Sequence, residues 1–115
     1  MENMTVEELW KVIVEQLEES KEHYAKLEAV YEFHIADQDV TYQIAFHAGE
    51  ATVFEGRVKE ADCALSMKEA DFKKLLLGKL NSTMAYMSGK LKVKGSIQQA
   101  LALEKMLKQF DSSKS

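Results

Sequence analysis

The chain has 115 residues, 46% of them apolar and 30% charged, with a formal net charge of −4. That length suits one domain with one core, and the acidic balance argues against a duplex-binding surface, so no nucleic-acid partner is expected. No apolar run approaches the roughly 18 residues of a membrane span, and the single cysteine, Cys63, cannot close an internal disulfide, which suits a reducing compartment.

The first element reads as an amphipathic helix. Val6, Leu9, Trp10, Ile13, Val14 and Leu17 recur at helical spacing, with Glu7, Glu8, Lys11 and Glu15 opposite. Thr5 and Glu8 form a capping box at its start. From Leu27 the period changes to two: Leu27, Ala29, Tyr31, Phe33 and Ile35 alternate with Glu28, Val30, Glu32 and His34. Asp37-Gln38-Asp39 has turn chemistry. A second strand follows with Val40, Tyr42, Ile44 and Phe46 on one face, and Ala48-Gly49-Glu50 turns into a third strand at Ala51 to Glu55. Short turns between alternating runs predict an antiparallel meander. Asp62 to Ser66 reads as a brief fourth strand.

Helical signals then return. Ser66 and Glu69 form a second capping box ahead of Phe72, Leu75, Leu76 and Leu77, with Gly78 at the stop position. Ser82 caps a short helix through Met84, Ala85 and Met87 that ends at Gly89. Lys90-Leu91-Lys92-Val93-Lys94 alternates strictly and predicts a fifth strand with a charged face. Ser96 and Gln99 cap the last helix, which carries Ile97, Ala100, Leu101, Leu103, Leu107 and Phe110. The whole chain, 1–115, is expected to be one α+β domain with a polar, frayed tail over 111–115.

No catalytic or metal constellation emerges. His23, His34 and His47 read as solvated surface histidines, and Cys63 as a buried small hydrophobe. Asp37 and Asp39 begin like a calcium loop, but Val40, Thr41 and Tyr42 follow where oxygen ligands and a glycine belong. Gly78-Lys79 and Gly89-Lys90 look like the end of a phosphate-binding loop, yet Lys73 and Met84 stand where it needs an earlier glycine. No enzyme activity, metal or cofactor is therefore expected.

The apolar inventory says more. Leu75, Leu76 and Leu77 diverge by about 100° each, so at least one must face something other than the sheet. Leu103 and Met106 broaden the last helix's apolar stripe, and methionine suits surfaces that accommodate varied shapes. This excess builds either a cavity for a lipid chain, or a packed core or dimer seam; pattern alone favours the latter two. Lys90, Lys92 and Lys94 likewise guard a strand edge against aggregation, or grip anionic headgroups in a transient membrane contact.

Three segments carry a resemblance. They are Ala61-Asp62-Cys63-Ala64-Leu65-Ser66; Phe72 with Leu75, Leu76, Gly78 and Lys79; and Ala85-Tyr86-Met87-Ser88-Gly89-Lys90-Leu91-Lys92-Val93-Lys94-Gly95, continued by Ala100 and Leu103. Together they resemble the sterol carrier protein type 2 family, and the order of elements fits it throughout. The resemblance implies a five-stranded, mostly antiparallel sheet covered on one face by helices, with a hydrophobic tunnel between them. It implies non-catalytic binding, with no cofactor, of a sterol, fatty acid, fatty acyl-CoA or phospholipid; a fatty acyl chain is the preferred ligand.

Carried over, the tunnel wall consists of Leu76, Leu80, Met84, Met87, Leu101, Met106 and Phe110, with Ile44 and Phe46 on the sheet side. Lys90, Lys92 and Lys94 are the headgroup candidates. Two departures stand out. Leu80-Asn81-Ser82 replaces the proline or acidic residue common after Gly-Lys, and the chain ends Ser113-Lys114-Ser115, where peroxisomal members carry a Ser-Lys-Leu-like signal. With an acidic start unlike a secretory signal, a stand-alone bacterial, cytoplasmic protein is expected. The rival expectation is an interaction module that uses the same helix faces to form a homodimer.

Overall fold

The computed structural model describes residues 5–114 apart from 20, 21, 23 and 25, with side chains described as far as Lys108. His23 lies outside the described residues, as does the side chain of Phe110. The elements run α1 (Val6–Glu19), β1 (Ala29–Ile35), β2 (Val40–His47), β3 (Glu50–Glu55), β4 (Cys63–Met67), α2 (Glu69–Leu76), α3 (Ser82–Met87), β5 (Lys92–Gly95) and α4 (Ile97–Lys114). The domain is α+β, as expected, and α4 continues into the polar tail.

The sheet order is β3-β2-β1-β4-β5. β1, β2 and β3 form the antiparallel meander. β4 returns beside β1 and runs parallel to it, and β5 closes the edge antiparallel to β4. Local alternation identifies strands but carries no information on the partner of a strand some 30 residues away, so this parallel pair is new information from the structure.

Register places the apolar sets on one face. Val53, Ile44, Tyr31 and Cys63 stand in one row across the sheet, and Tyr42, Phe33, Leu65 and Val93 in the next. Against this face lies the apolar stripe of α1, where Leu9, Trp10, Ile13 and Leu17 are buried. Trp10 packs at tilted angles on Phe33, Tyr42 and Phe72, with ring centroids 5.6–5.9 Å apart, a geometry that suits aromatic quadrupoles. Leu75, Leu76 and Leu77 are all buried, because α2 sits in contact with both α1 and α4.

Two helix starts differ from their sequence reading. Thr5 and Glu8 do cap α1 reciprocally, at 2.9 and 3.1 Å. Ser66 does not cap α2. It pairs with His34 inside the sheet, and the Glu69 N–H is met instead by Asp37 Oδ1 at 2.8 Å. The parallel pairing draws Ser66 into the strand and brings the β1–β2 turn to the helix end. At α3 the cap is Asn81, which accepts from the Met84 N–H at 3.0 Å; Ser82 is the first helical residue, and its N–H donates to Glu104 of α4. The fifth strand begins at Lys92, so Lys90 lies in the preceding turn. Gly95 has φ +104°, and a Cβ there would stand 2.7 Å from the Asp62 carbonyl oxygen; no larger residue fits the turn from β5 into α4.

Candidate functional site

The interior between helices and sheet is a continuous apolar seam. α1 supplies Trp10, Ile13 and Leu17; the sheet supplies Phe33, Ile44 and Phe46; α2 and α4 supply Leu76, Leu103, Met106 and Leu107. Packing closes the seam to a residual gap of about 10 Å³, room for roughly one water molecule. Among the described residues the tunnel implied by the resemblance is closed to this gap, because Phe33, Ile44 and Phe46 of the sheet meet Leu76, Leu103, Met106 and Leu107 of the helices across the space.

Of the residues expected to line a tunnel, Ile44, Phe46, Leu76 and Met106 converge on this gap, and Leu80 is buried nearby in the core. Met84, Met87 and Leu101 lie at the surface instead, Met87 at 81% exposure and Met84 at 68%. The reason is the orientation of α3. Ala85 and Ser82 turn inward, so Met84 and Met87 on the other side of the short helix face solvent. Trp10, Phe33 and Leu103 are lining residues absent from the expected set. Their signals lie in the α1 stripe for Trp10, in the β1 alternation for Phe33 and in the broadened apolar stripe of the last helix for Leu103.

The polar groups near the seam are held neutral or tied to backbone. Tyr31 donates to the Gln99 carbonyl at 3.0 Å and Tyr24 to the Leu17 carbonyl at 2.7 Å. Burial pushes the Tyr31 hydroxyl up to about 12, with Cys63 and Asp62 adding to the shift. Burial, then the hydrogen bond to Glu7, does the same for Tyr42, also to about 12. Cys63 is fully buried, and burial followed by the nearby Asp62 raises its thiol, which keeps it protonated and unreactive. The buried Trp10 indole N–H meets no acceptor among the described residues.

The other face of the sheet is polar. Gln43 is fully buried there and binds Glu32 at 3.0 Å and the Lys59 carbonyl at 2.7 Å, while its oxygen accepts from the Val58 and Lys59 N–H groups. Arg57 completes the cluster on Glu32 at 3.0 Å. His34 stands 3.5 Å from both Ser66 Oγ and Asp39 Oδ1, at the outer limit of hydrogen bonding. Lys92 and Lys94 rise from β5 beside Ser66 and Ala64 and line an open recess of about 740 Å³. Exposed His47 pairs with Glu28 at 2.6 Å. Among the described residues no cluster of three or more His, Cys, Asp or Glu side chains is arranged to hold a metal ion, and no helix is long and apolar enough to cross a membrane.

A mixed five-stranded sheet with helices over an apolar seam defines a small two-layer α+β domain. The profile of the SCP-2 sterol transfer family matches residues 11–108, and the chain belongs to that family; its coarse function is lipid binding. Hydroxysteroid dehydrogenase-like protein 2 of Mus musculus is 38% identical over 109 residues, 93% of this chain and 22% of that protein. The chain thus spans about a fifth of the length of that relative. The sterol carrier protein domain 2 of Helicoverpa armigera has the same fold, with TM-score 0.75 and 23% identity over 91% of this chain and 87% of that one. So does palmitated SCP2L2 of Aedes aegypti, with TM-score 0.71 and 18% identity over 90% and 95% of the two chains.

Proposed function

We propose that the domain binds one long fatty acyl chain, without chemistry, by parting the helices from the sheet along the apolar seam. The chain lies against Ile44, Phe46, Leu76 and Met106, joined by Trp10 and Leu103, with its polar head left at the rim. Leu80 extends the wall, and Met84, Met87 and Leu101 form the outer lip. The observation that carries this reading is the seam: side chains from all three layers meet over a residual gap without one ionisable group among them. Each buried CH₂ contributes about 0.8 kcal/mol, which offsets the opening of a seam closed by apolar side chains alone. The Aedes aegypti domain of the same fold is described as palmitated, in keeping with an acyl chain as ligand. Fatty acid, acyl-CoA and phospholipid share that chain, and transfer between compartments follows from reversible binding.

Trp10 is the only tryptophan and lines the seam, so it reports on entry. Titration with monomeric palmitic acid is expected to change its emission saturably, at one fatty acid per chain. Unchanged emission, with no fatty acid retained through gel filtration, would sink the proposal.

A further inference from the structure

Among the described residues six large apolar side chains remain exposed, and all but Val58, in the loop after β3, gather in one segment. Met84, Tyr86 and Met87 belong to α3, and Ile97 and Leu101 to the first turns of α4. Ile97 and Leu101 share a helical stripe with Glu104, which receives the Ser82 N–H at the start of α3, so the two exposed sets adjoin. Monomeric surfaces rarely gather large apolar groups in this way without a partner.

Charge is segregated on the same segment. Residues 78–108 hold Lys79, Lys90, Lys92, Lys94, Lys105 and Lys108 against one acid, Glu104, a net +5 in a chain of −4, leaving −9 for the remainder. Glu104 is itself occupied: burial pushes its carboxyl up, but the Ser82 hydrogen bonds and Lys108 outweigh this and hold it below the usual carboxylate range. Beside Met87, the turn Ser88-Gly89-Lys90 borders a recess of about 430 Å³ that also has Lys68, Lys92 and a single acid, Asp71, in its wall. By contrast, α1 turns Glu7, Glu8, Glu15, Glu18 and Glu19 to solvent and would be repelled by an anionic surface.

An apolar tip set among lysines, on an otherwise acidic molecule, matches the layered chemistry of an anionic bilayer: phosphates outside, hydrocarbon beneath. We infer that the α3–β5 segment with the start of α4 is a docking surface for anionic phospholipid membranes, Met84 and Met87 entering the interface while Lys90 and Lys92 hold headgroup phosphates. The surface is argued from exposure and charge; its purpose, delivery of an acyl chain to the seam, rests on the function proposed above.

Co-sedimentation of the full chain with vesicles of pure phosphatidylcholine, and of an equal mixture with phosphatidylglycerol, tests it. Binding is expected to the mixture only, and to weaken as salt rises. Met84→Glu/Met87→Glu should abolish it with an unchanged circular dichroism spectrum. Lys90→Gln/Lys92→Gln should weaken it by about 25-fold, roughly fivefold for each lysine, and serves if the first variant fails to fold. Equal binding to both vesicles, no binding to either, or folded variants that bind like the parent would overturn the docking surface. Trp10 emission with monomeric palmitic acid separates the two ideas. Vesicle binding without a Trp10 response would leave docking standing and remove acyl binding, and the reverse result would do the opposite.

Discussion

The two faces of the sheet are built from the same five strands, yet they are closed in different ways. On the helix-covered face, apolar side chains fill the space, and Trp10, Phe33, Tyr42 and Phe72 pack ring against ring. On the other, the buried pair Glu32 and Gln43 is satisfied one hydrogen bond at a time by Arg57 and the backbone of residues 58 and 59. Dispersion and burial are non-directional and allow rearrangement, whereas a buried amide is stable only in one geometry. The covered face is accordingly the one that can part for a ligand. The open face ties the loop after β3 to the sheet through Gln43.

Substitutions on each face sharpen this contrast. Phe33→Ala, at a fully buried ring in the aromatic cluster, is expected to lower stability by about 3–5 kcal/mol in urea unfolding. Gln43→Leu should cost about 1–3 kcal/mol, because it strips partners from Glu32 and two backbone N–H groups; an equal or larger loss than at Phe33 would break the comparison. Thr5→Ala removes the cap of α1 and should cost about 1 kcal/mol. The smallest effect at neutral pH comes from the tyrosines. Tyr31 and Tyr42 have hydroxyls raised to about 12 in the fold against about 10 unfolded. Their neutral-state contribution is full below pH 10 and is lost as pH rises through 12. Tyr31→Phe should flatten that alkaline limb of the stability curve without changing stability ranking below it.

Much of this was legible in the sequence, for physical reasons that can be located. Period-two alternation exposed the core face of β1 and β2 residue by residue, and Thr5 with Glu8 marked the start of α1, because both signals are local. Ser66 was misread as a cap because a serine three residues before a glutamate fits both a helix start and a strand; only pairing with β1 decides, and Asp37 takes the capping role. Ser82 was misread by one position because Asn81 caps equally well. Within the seam, Ile44, Phe46, Leu76 and Met106 were readable from their faces and from family resemblance. Met84 and Met87 were not: a six-residue helix presents either side inward, and Ala85 and Leu91, both buried, set which. Nor could spacing show that the seam is closed, since gap volume depends on side chains meeting from three elements.

The central claim is that the closed seam opens for a lipid chain. Native mass spectrometry of freshly purified protein, followed by denaturation and identification of anything released, tests it most directly. The account predicts one fatty acid, acyl-CoA or phospholipid per chain, or uptake of one palmitic acid when it is offered. A bare protein mass that stays unchanged after incubation with palmitic acid would contradict it.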